Sequence, residues 1–419
     1  MPARTTQQVR VGSRSLELSN LEKVFYPATG FTKGQVIDYY SRIAPAMVPH
    51  LKGRPLNLKR YPNGVEAPFF FQKEAPSNTP AWLRVFEVWS DTRGGPIRFC
   101  TANDTASLVW LANTGNLEFH SLLSRAPDAE TPTMMVFDLD PGPGAGLLGA
   151  AAVALLVHDA LQSAGLEAFP KVSGGKGVQV YVPLNTPVTF EATRNYSLAV
   201  AQSLERRHPT AIVSNMRKDL RQGKVLIDYS QNSRHKSTVS PYSLRARTEP
   251  SVSAPVTWKE IDDAVTRRDE DRLRFTPEQV LLRVAKQGDL FAPILSLRQR
   301  LESRRPRGPP ARASGEPPSR RPTAKARPKT PTRASPKPSP KSSPKPSPKS
   351  SPRVSPKRPP RGKHRKATKL PPGRGRPKRR AGNSKNAGPV RRPWAQKPKA
   401  PSPSGARKSR SAATSQATT

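Results

Sequence analysis

The chain has 419 residues, with 72 lysines and arginines against 30 acids, a formal net charge of +42 and one cysteine. A lone Cys100 excludes an internal disulfide and fits a reducing compartment, and no apolar run reaches the ~20 residues needed to span a bilayer, the best being 146–157. No apolar signal core opens the chain, and so large a positive charge points to nucleic acid or an anionic membrane surface as partner; a cytoplasmic, nucleoid-associated protein on nucleic acid is expected.

The charge is uneven. Residues 301–419 hold 35 lysines and arginines against two acids, Glu302 and Glu316, which leaves +9 on residues 1–300. The same stretch carries 26 of the 49 prolines. It has too little apolar surface to offset the entropy of ordering its backbone, so a folded part at 8–297 and a disordered tail at 298–419 are expected.

From the N-terminus, residues 16–51 read as a short approach followed by a helix. Thr32 and Gln35 stand at capping-box spacing, and Val36, Ile37, Tyr40 and Ile43 recur at helical spacing. A strand at 56–61 ends in the turn signal Pro62-Asn63-Gly64. Short β-like runs follow at 85–89 and 97–100, then helical spacing through 108–111. The middle alternates more cleanly: a buried-looking strand at 133–139, an apolar helix at 146–164 closed by Gly165, strands at 169–172 and 178–183, a helix at 191–207 and a strand at 225–229. Residues 258–287 read as a closing helical element. Strands and helices mixed in this order argue for α+β or α/β layering.

The chemistry concentrates in Val136-Phe137-Asp138-Leu139-Asp140-Pro141. On a strand, residues i and i+2 share a face, so the two carboxylates project together while Leu139 turns to the core. Such close acids repel unless cations lie between them, and Mg²⁺ or Mn²⁺ is the expected remedy; two solvated acids at a strand end, or a helix cap before Gly142, are the bland alternative. Val225-Leu226-Ile227-Asp228-Tyr229 sets a third acid in an apolar strand, where it needs a cation or an arginine as partner. Three strand-borne acids suit two-metal phosphoryl transfer.

A triphosphate also needs amide and cationic donors. Ser173-Gly174-Gly175-Lys176-Gly177, between two strands, supplies a hydroxyl, exposed amides and a lysine. Gly177 stands where a Walker A loop has Ser or Thr, and a Gly-rich turn explains the stretch nearly as well. Arg245 and Arg247 add planar forks suited to phosphates, with a solvated basic strand edge as the alternative. His120 is either a nucleotide contact or merely structural.

Taken in order, these stretches resemble the polymerase domain of bacterial ligase D, an end-joining repair enzyme of the archaeo-eukaryotic primase superfamily. The resemblance rests on Asn20-Leu21-Glu22-Lys23-Val24-Phe25-Tyr26-Pro27, Gly53-Arg54-Pro55, Pro62-Asn63-Gly64, Phe70-Phe71-Gln72-Lys73 and Leu117-Glu118-Phe119-His120. It continues through Phe137 to Pro141, Ser173 to Gly177, Ile227 to Asn232 and Pro241 to Arg247, so it covers residues 16–290. It implies an α+β primase-polymerase core with an RRM-like catalytic sheet. It further implies template-dependent addition of rNTPs or dNTPs at gaps, nicks and broken DNA ends, in non-homologous end joining or gap filling, with two Mn²⁺ or Mg²⁺ ions.

By this resemblance Asp138, Asp140 and Asp228 are catalytic and ligate the metals. Ser173, Lys176 and Arg245 would hold the triphosphate with Gln231 nearby. Lys59 and His120 would contact the incoming nucleotide, and Phe70 or Phe71 would stack on its base. Asn20, Lys23 and Lys33 resemble the pocket that grips a 5′-phosphate across the gap. One position departs from the pattern: the family has histidine after Lys-Gly-(apolar), whereas this chain has Gln179, which forms hydrogen bonds but cannot carry a proton's charge. No Lys-x-Asp-Gly stretch for an adenylated lysine occurs and the six histidines do not cluster. A stand-alone polymerase working in trans with an ATP-dependent DNA ligase and the Ku end-binding protein is therefore expected.

In the tail, Ser-Pro-Lys (once Ser-Pro-Arg) recurs with a period of four from Ser335 to Ser355, resembling linker histones. Gly373-Arg374-Gly375-Arg376-Pro377-Lys378 resembles an AT-hook, whose Arg374 and Arg376 would lie in an A·T minor groove. The alternative to an active enzyme is an architectural, end-bridging DNA protein with an inactive polymerase core.

Overall fold

The computed structural model describes residues 5–301; the tail, with its repeats and Arg374 and Arg376, lies outside the described residues, as do residues 1–4. Helix α1 (Lys33–Leu51) leads to β1 (Leu56–Arg60) and β2 (Phe70–Gln72), and α2 (Thr105–Asn113) to β3 (Asn116–Leu122) and β4 (Met134–Pro141). Then come α3 (Gly146–Ser163), β5 (Phe169–Val172), β6 (Val178–Pro183) and α4 (Phe190–Arg207). Strands β7 (Ile212–Val213), β8 (Val225–Asp228) and β9 (Ser237–Val239) precede α5 (Trp258–Arg267) and α6 (Pro277–Gln287).

The capping box expected at the start of α1 is present: the Thr32 hydroxyl accepts from the Gln35 N–H, and the Gln35 side chain accepts from the Thr32 N–H. Val36, Ile37, Tyr40 and Ile43 are all buried, as their spacing requires. Two sheets organise the rest. One runs β5-β6-β4-β8-β7, antiparallel except where β7 meets β8; the other runs β9-β3-β1-β2 and is antiparallel throughout. This is the α+β, RRM-like architecture that the resemblance implies.

Strand β4 obeys period two without exception. Met135, Phe137 and Leu139 enter the main core with α3 residues such as Leu147, Ala150 and Ala154, while Met134 and Val136 face the other way with Tyr181 and Phe291. Each fully buried side chain of this size contributes roughly 1.5–3 kcal/mol relative to exposure. Helices α3 and α4 therefore cover one face of the sheet and leave the aspartate-bearing end of the other face open.

Four differences from the sequence reading have physical causes. Residues 16–19, the start of the stretch read as an approach, belong to a hairpin of strands Thr6–Val11 and Arg14–Ser19. The element read as one helix over 258–287 is two, because Arg268 adopts a left-handed φ of 54° and Pro277 starts a new helix. The strand read over 225–229 ends at Asp228, whose side chain caps a short 3₁₀ turn at Tyr229–Gln231. Finally, α3 is 18 residues long and by length and composition alone suffices to cross a membrane, which corrects the judgement that this stretch is too short. Its inward face packs on β4, β6 and α5 in this fold.

Arg54, part of the Gly53-Arg54-Pro55 motif, ties the two sheets together. Fully buried, it donates through Nη1 to the carbonyls of Leu122, Leu123 and Ser124, and through Nη2 to Thr133 Oγ1 at 2.7 Å. It thus bridges the end of β3 to the residue that precedes β4. Each orphaned buried polar group costs ~1–3 kcal/mol, so Arg54→Met is expected to destabilise the protein by at least about 3 kcal/mol in urea unfolding. A wild-type midpoint in that variant would contradict the bridging role.

Candidate active site

Strand register sets one row of polar residues across four strands. Lys171 on β5 stands opposite Gln179 on β6, Gln179 opposite Asp138 on β4, and Asp138 opposite Asp228 on β8. Directly opposed residues of antiparallel strands share a face, with Cβ atoms roughly 4.5–5.5 Å apart. Asp140 lies two residues along β4 and so joins the same face. The three carboxylates expected to act together are therefore neighbours.

Their environment is electrostatically strained. Burial raises the Asp138 carboxyl well above the usual range and the charges of Asp140 and Asp228 raise it further, against a 3.1 Å hydrogen bond donated by Gln179 Nε2. Burial and the Asp228 charge also raise Asp140, although it is the more open of the two. None of the three makes an ion pair among the described residues. Nor do three metal-ligating side chains already converge as a closed cage there, because the Asp228 carboxylate is turned to cap the next turn. Its Oδ1 accepts from the Ser230 N–H at 2.8 Å and the Ser230 hydroxyl at 2.5 Å, and its Oδ2 from Gln231 Nε2 at 3.3 Å. Three mutually repelling oxygen donors without a protein cation suit hard divalent ions such as Mg²⁺ or Mn²⁺.

A cleft of about 330 Å³ opens beside this row and gathers Asp138 and Asp140 with most of the residues expected to hold a nucleotide: Ser173, Lys176, Gln231, Arg245 and His120. The Ser173–Gly177 turn is built on glycine for steric reasons. Gly174 has φ +70°, and a Cβ there would lie 2.7 Å from both Arg245 Cγ and the Val252 carbonyl. A Cβ at Gly177 would come within 2.8 Å of the Leu139 carbonyl. Arg245 donates through Nη1 to the Ser173 carbonyl, which fixes arginine and turn together. Lys176 is exposed at the rim, and Arg247, also exposed, lines the same cleft.

Glu118 is the residue that sequence reading missed. It is 1% exposed and holds Lys59 (3.5 Å), His120 (2.9 Å) and Arg245 (3.3 Å) around one carboxylate. Burial alone would raise its carboxyl, but the His120 hydrogen bond and the Arg245 and Lys59 charges outweigh that and hold it at about 2. Burial lowers His120 against the pull of Glu118, which favours the neutral imidazole. The signal was present in the sequence: an acid within the apolar run Leu117-Glu118-Phe119, the same pattern that marked Asp228.

Beyond this hub three phenylalanines are exposed, and alternation divides them. Phe69 and Phe71 pack edge to face at 6.0 Å beneath Lys59, with Phe71 6.1 Å from His120, whereas Phe70 turns away to Arg60. Of the two expected stacking residues, Phe71 is thus the one facing His120 and Lys59, accompanied by Phe69. Asn20, Lys23 and Lys33 line a separate cleft with Phe25, Arg60 and Asn113. Lys23 Nζ donates to the Pro62 carbonyl and Asn63 Oδ1, both at 2.7 Å. Lys33 is buried and donates to the Ser19 carbonyl at 2.5 Å and to Asn113 Oδ1 at 2.8 Å.

Residues 32–291 match the family model of the LigD primase-polymerase domain, and the chain belongs to that family. Among its relatives is the multifunctional non-homologous end joining DNA repair protein LigD of Mycobacterium tuberculosis, 41% identical over 282 residues, which are 65% of this chain and 36% of that protein. The bifunctional non-homologous end joining protein LigD of Bacillus subtilis is 30% identical over 277 residues, or 66% of this chain and 43% of that protein. The chain thus spans less than half the length of either relative. A solved structure, the polymerase domain from Mycobacterium tuberculosis ligase D in complex with DNA, superposes with a TM-score of 0.62 at 41% identity, covering 66% of this chain and 97% of that one.

Two outcomes are expected from this electrostatic layout. Asp138→Asn removes charge from the repelling set, so its metal-free melting temperature should exceed the wild type's, while added Mn²⁺ should raise the wild type more than the variant. Equal responses to Mn²⁺ in a melting assay would count against Asp138 as a ligand. For Glu118 the folded value lies below the ordinary 4.5, so its stabilisation is complete above that pH and is lost as pH falls towards about 2. Glu118→Gln should therefore lower stability at pH 7, and its deficit should shrink across that acid window.

Proposed function

We propose that the chain is a template-dependent nucleotidyltransferase that adds rNTPs or dNTPs at gaps, nicks and broken DNA ends in non-homologous end joining or gap filling. The observation that carries this reading is the single cleft shared by Asp138, Asp140, the Ser173–Gly177 turn and Arg245 in a member of this family. Asp138, Asp140 and Asp228 would hold two Mn²⁺ or Mg²⁺ ions. When bound, such ions activate a primer 3′-hydroxyl and offset charge on the departing pyrophosphate.

The chain's own residues then do the positioning. The Arg245 fork and Lys176 neutralise the triphosphate, while the Ser173 hydroxyl and the turn amides donate to its oxygens. Neutral His120 offers an uncharged hydrogen bond to the nucleotide, and Lys59, pinned by Glu118, contributes charge nearby. Phe71 supplies an apolar face for a base. Asn20, Lys23 and Lys33 would grip a 5′-phosphate on the far side of a gap. An ATP-dependent DNA ligase and Ku acting in trans, at the nucleoid, complete the repair reading.

The test is extension of a primer across a short gap with a downstream 5′-phosphate, with Mn²⁺ and either rNTPs or dNTPs. Addition by the wild type and none by Asp140→Ala is expected. No addition by either protein, with DNA binding retained by both, would overturn the polymerase reading in favour of an end-bridging protein with an inactive core. The +33 carried by residues 301–419, which motivates a DNA-tethering role, has its own test. Contacts to ~6–10 phosphates lose roughly 10³–10⁵-fold in affinity between about 50 and 200 mM salt. Deleting residues 301–419 should weaken duplex binding and flatten this salt dependence, and an unchanged slope would contradict the tethering role.

A further inference from the structure

Lys171 is buried to 0% exposure directly behind the carboxylate row, where a lysine is seldom placed without a specific partner. Its Nζ donates to Gln179 Oε1 at 2.7 Å and to Ser253 Oγ at 2.6 Å, and it lies 5.7 Å over the ring of Tyr181. The Tyr181 hydroxyl is itself 3.3 Å from the same glutamine oxygen and 2.9 Å from Thr238 Oγ1. On its other side the Gln179 amide donates through Nε2 to Asp138 Oδ1. With the lysine charged and Asp138 ionised, as a bound cation beside Asp138 would favour, only one orientation of the amide satisfies both sides. The flipped orientation would set its NH₂ against the lysine and its carbonyl against a carboxylate.

We propose that Lys171 is a positioning residue for the catalytic carboxylates: by donating to Gln179 it locks that amide with its N–H toward Asp138. Gln179 is thereby kept as a hydrogen-bond donor to an acid proposed to ligate metal. A neutral glutamine has no tautomer to adjust, so something must break the symmetry between its two ends; the buried lysine does so. Asp138 Oδ1 is then held in place, and its Oδ2 has no hydrogen-bond partner among the described residues, which leaves it open to a cation. Partners one step removed from a metal are typically worth roughly 10–100-fold in affinity or activity. The inference rests on the polymerase reading for its kinetic consequence, but its metal-binding consequence is independent of it.

The test is Lys171→Met, Gln179→Leu and the double variant in the full chain, with folding checked by circular dichroism. Mn²⁺ affinity is measured by titration calorimetry, and kcat and KM by primer extension. Lys171→Met should lower Mn²⁺ affinity and kcat by roughly 10–100-fold with KM for the nucleotide unchanged. The double variant should be no worse than Gln179→Leu alone, because the lysine acts through the glutamine. Wild-type Mn²⁺ affinity in folded Lys171→Met, or losses that multiply in the double variant, would overturn the proposal. Should Lys171→Met not fold, Gln179→Leu decides the matter: it leaves the lysine bonded to Ser253, and wild-type Mn²⁺ affinity there overturns the proposal equally. A wild type that binds Mn²⁺ but adds no nucleotide would remove the polymerase reading and leave this metal-binding test intact.

Discussion

Three carboxylates fixed on one face of one sheet repel one another, and much of the molecule is arranged around that repulsion. Asp138 faces Asp228 across a strand pair and Asp140 is two residues away, with burial and neighbouring charge raising the β4 pair. Such an arrangement is unfavourable in isolation and must be held by packing elsewhere. The opposite face provides it: Phe137, Leu139, Val178, Val180 and Ile227 are closed to solvent in the same core as α3. Rigid strands then prevent the acids from relaxing apart. The grouping of the three acids follows from strand register rather than from any loop.

The positive groups are kept off the carboxylates in a way that serves the same end. Arg245 is shared between Glu118 and the Ser173 carbonyl, and Lys59 is held by Glu118, so neither collapses onto Asp138 or Asp140. Glu118 acts as a counterweight, an acid on the second sheet that keeps the cations in place without neutralising the first. The cleft between the two groups is consequently negative on one wall and positive on the other. A metal-bound triphosphate has the complementary charge distribution.

Much of this was legible in the residues. Period two around Leu139 placed both aspartates on one face, and the acid within Val225-Leu226-Ile227-Asp228 marked its strand because an apolar neighbourhood makes a carboxylate conspicuous. The capping box at Thr32 and Gln35 located α1 to the residue. What could not be read was pairing between distant segments. That Lys171, Gln179, Asp138 and Asp228 form one row depends on which strands are neighbours, and no local pattern encodes that. Glu118 carried the same signal as Asp228 and was passed over beside the more familiar His120. The break at Arg268 was hidden because an arginine gives no hint of a left-handed conformation.

The most direct measurement is an anomalous difference map at the manganese edge from crystals of the protein with gapped DNA, Mn²⁺ and a non-hydrolysable nucleotide. Peaks among Asp138, Asp140 and Asp228, with the triphosphate on Arg245 and the Ser173–Gly177 turn, are the expected result. Manganese absent from the three carboxylates while nucleotide and DNA are bound would contradict the role assigned to the carboxylate row.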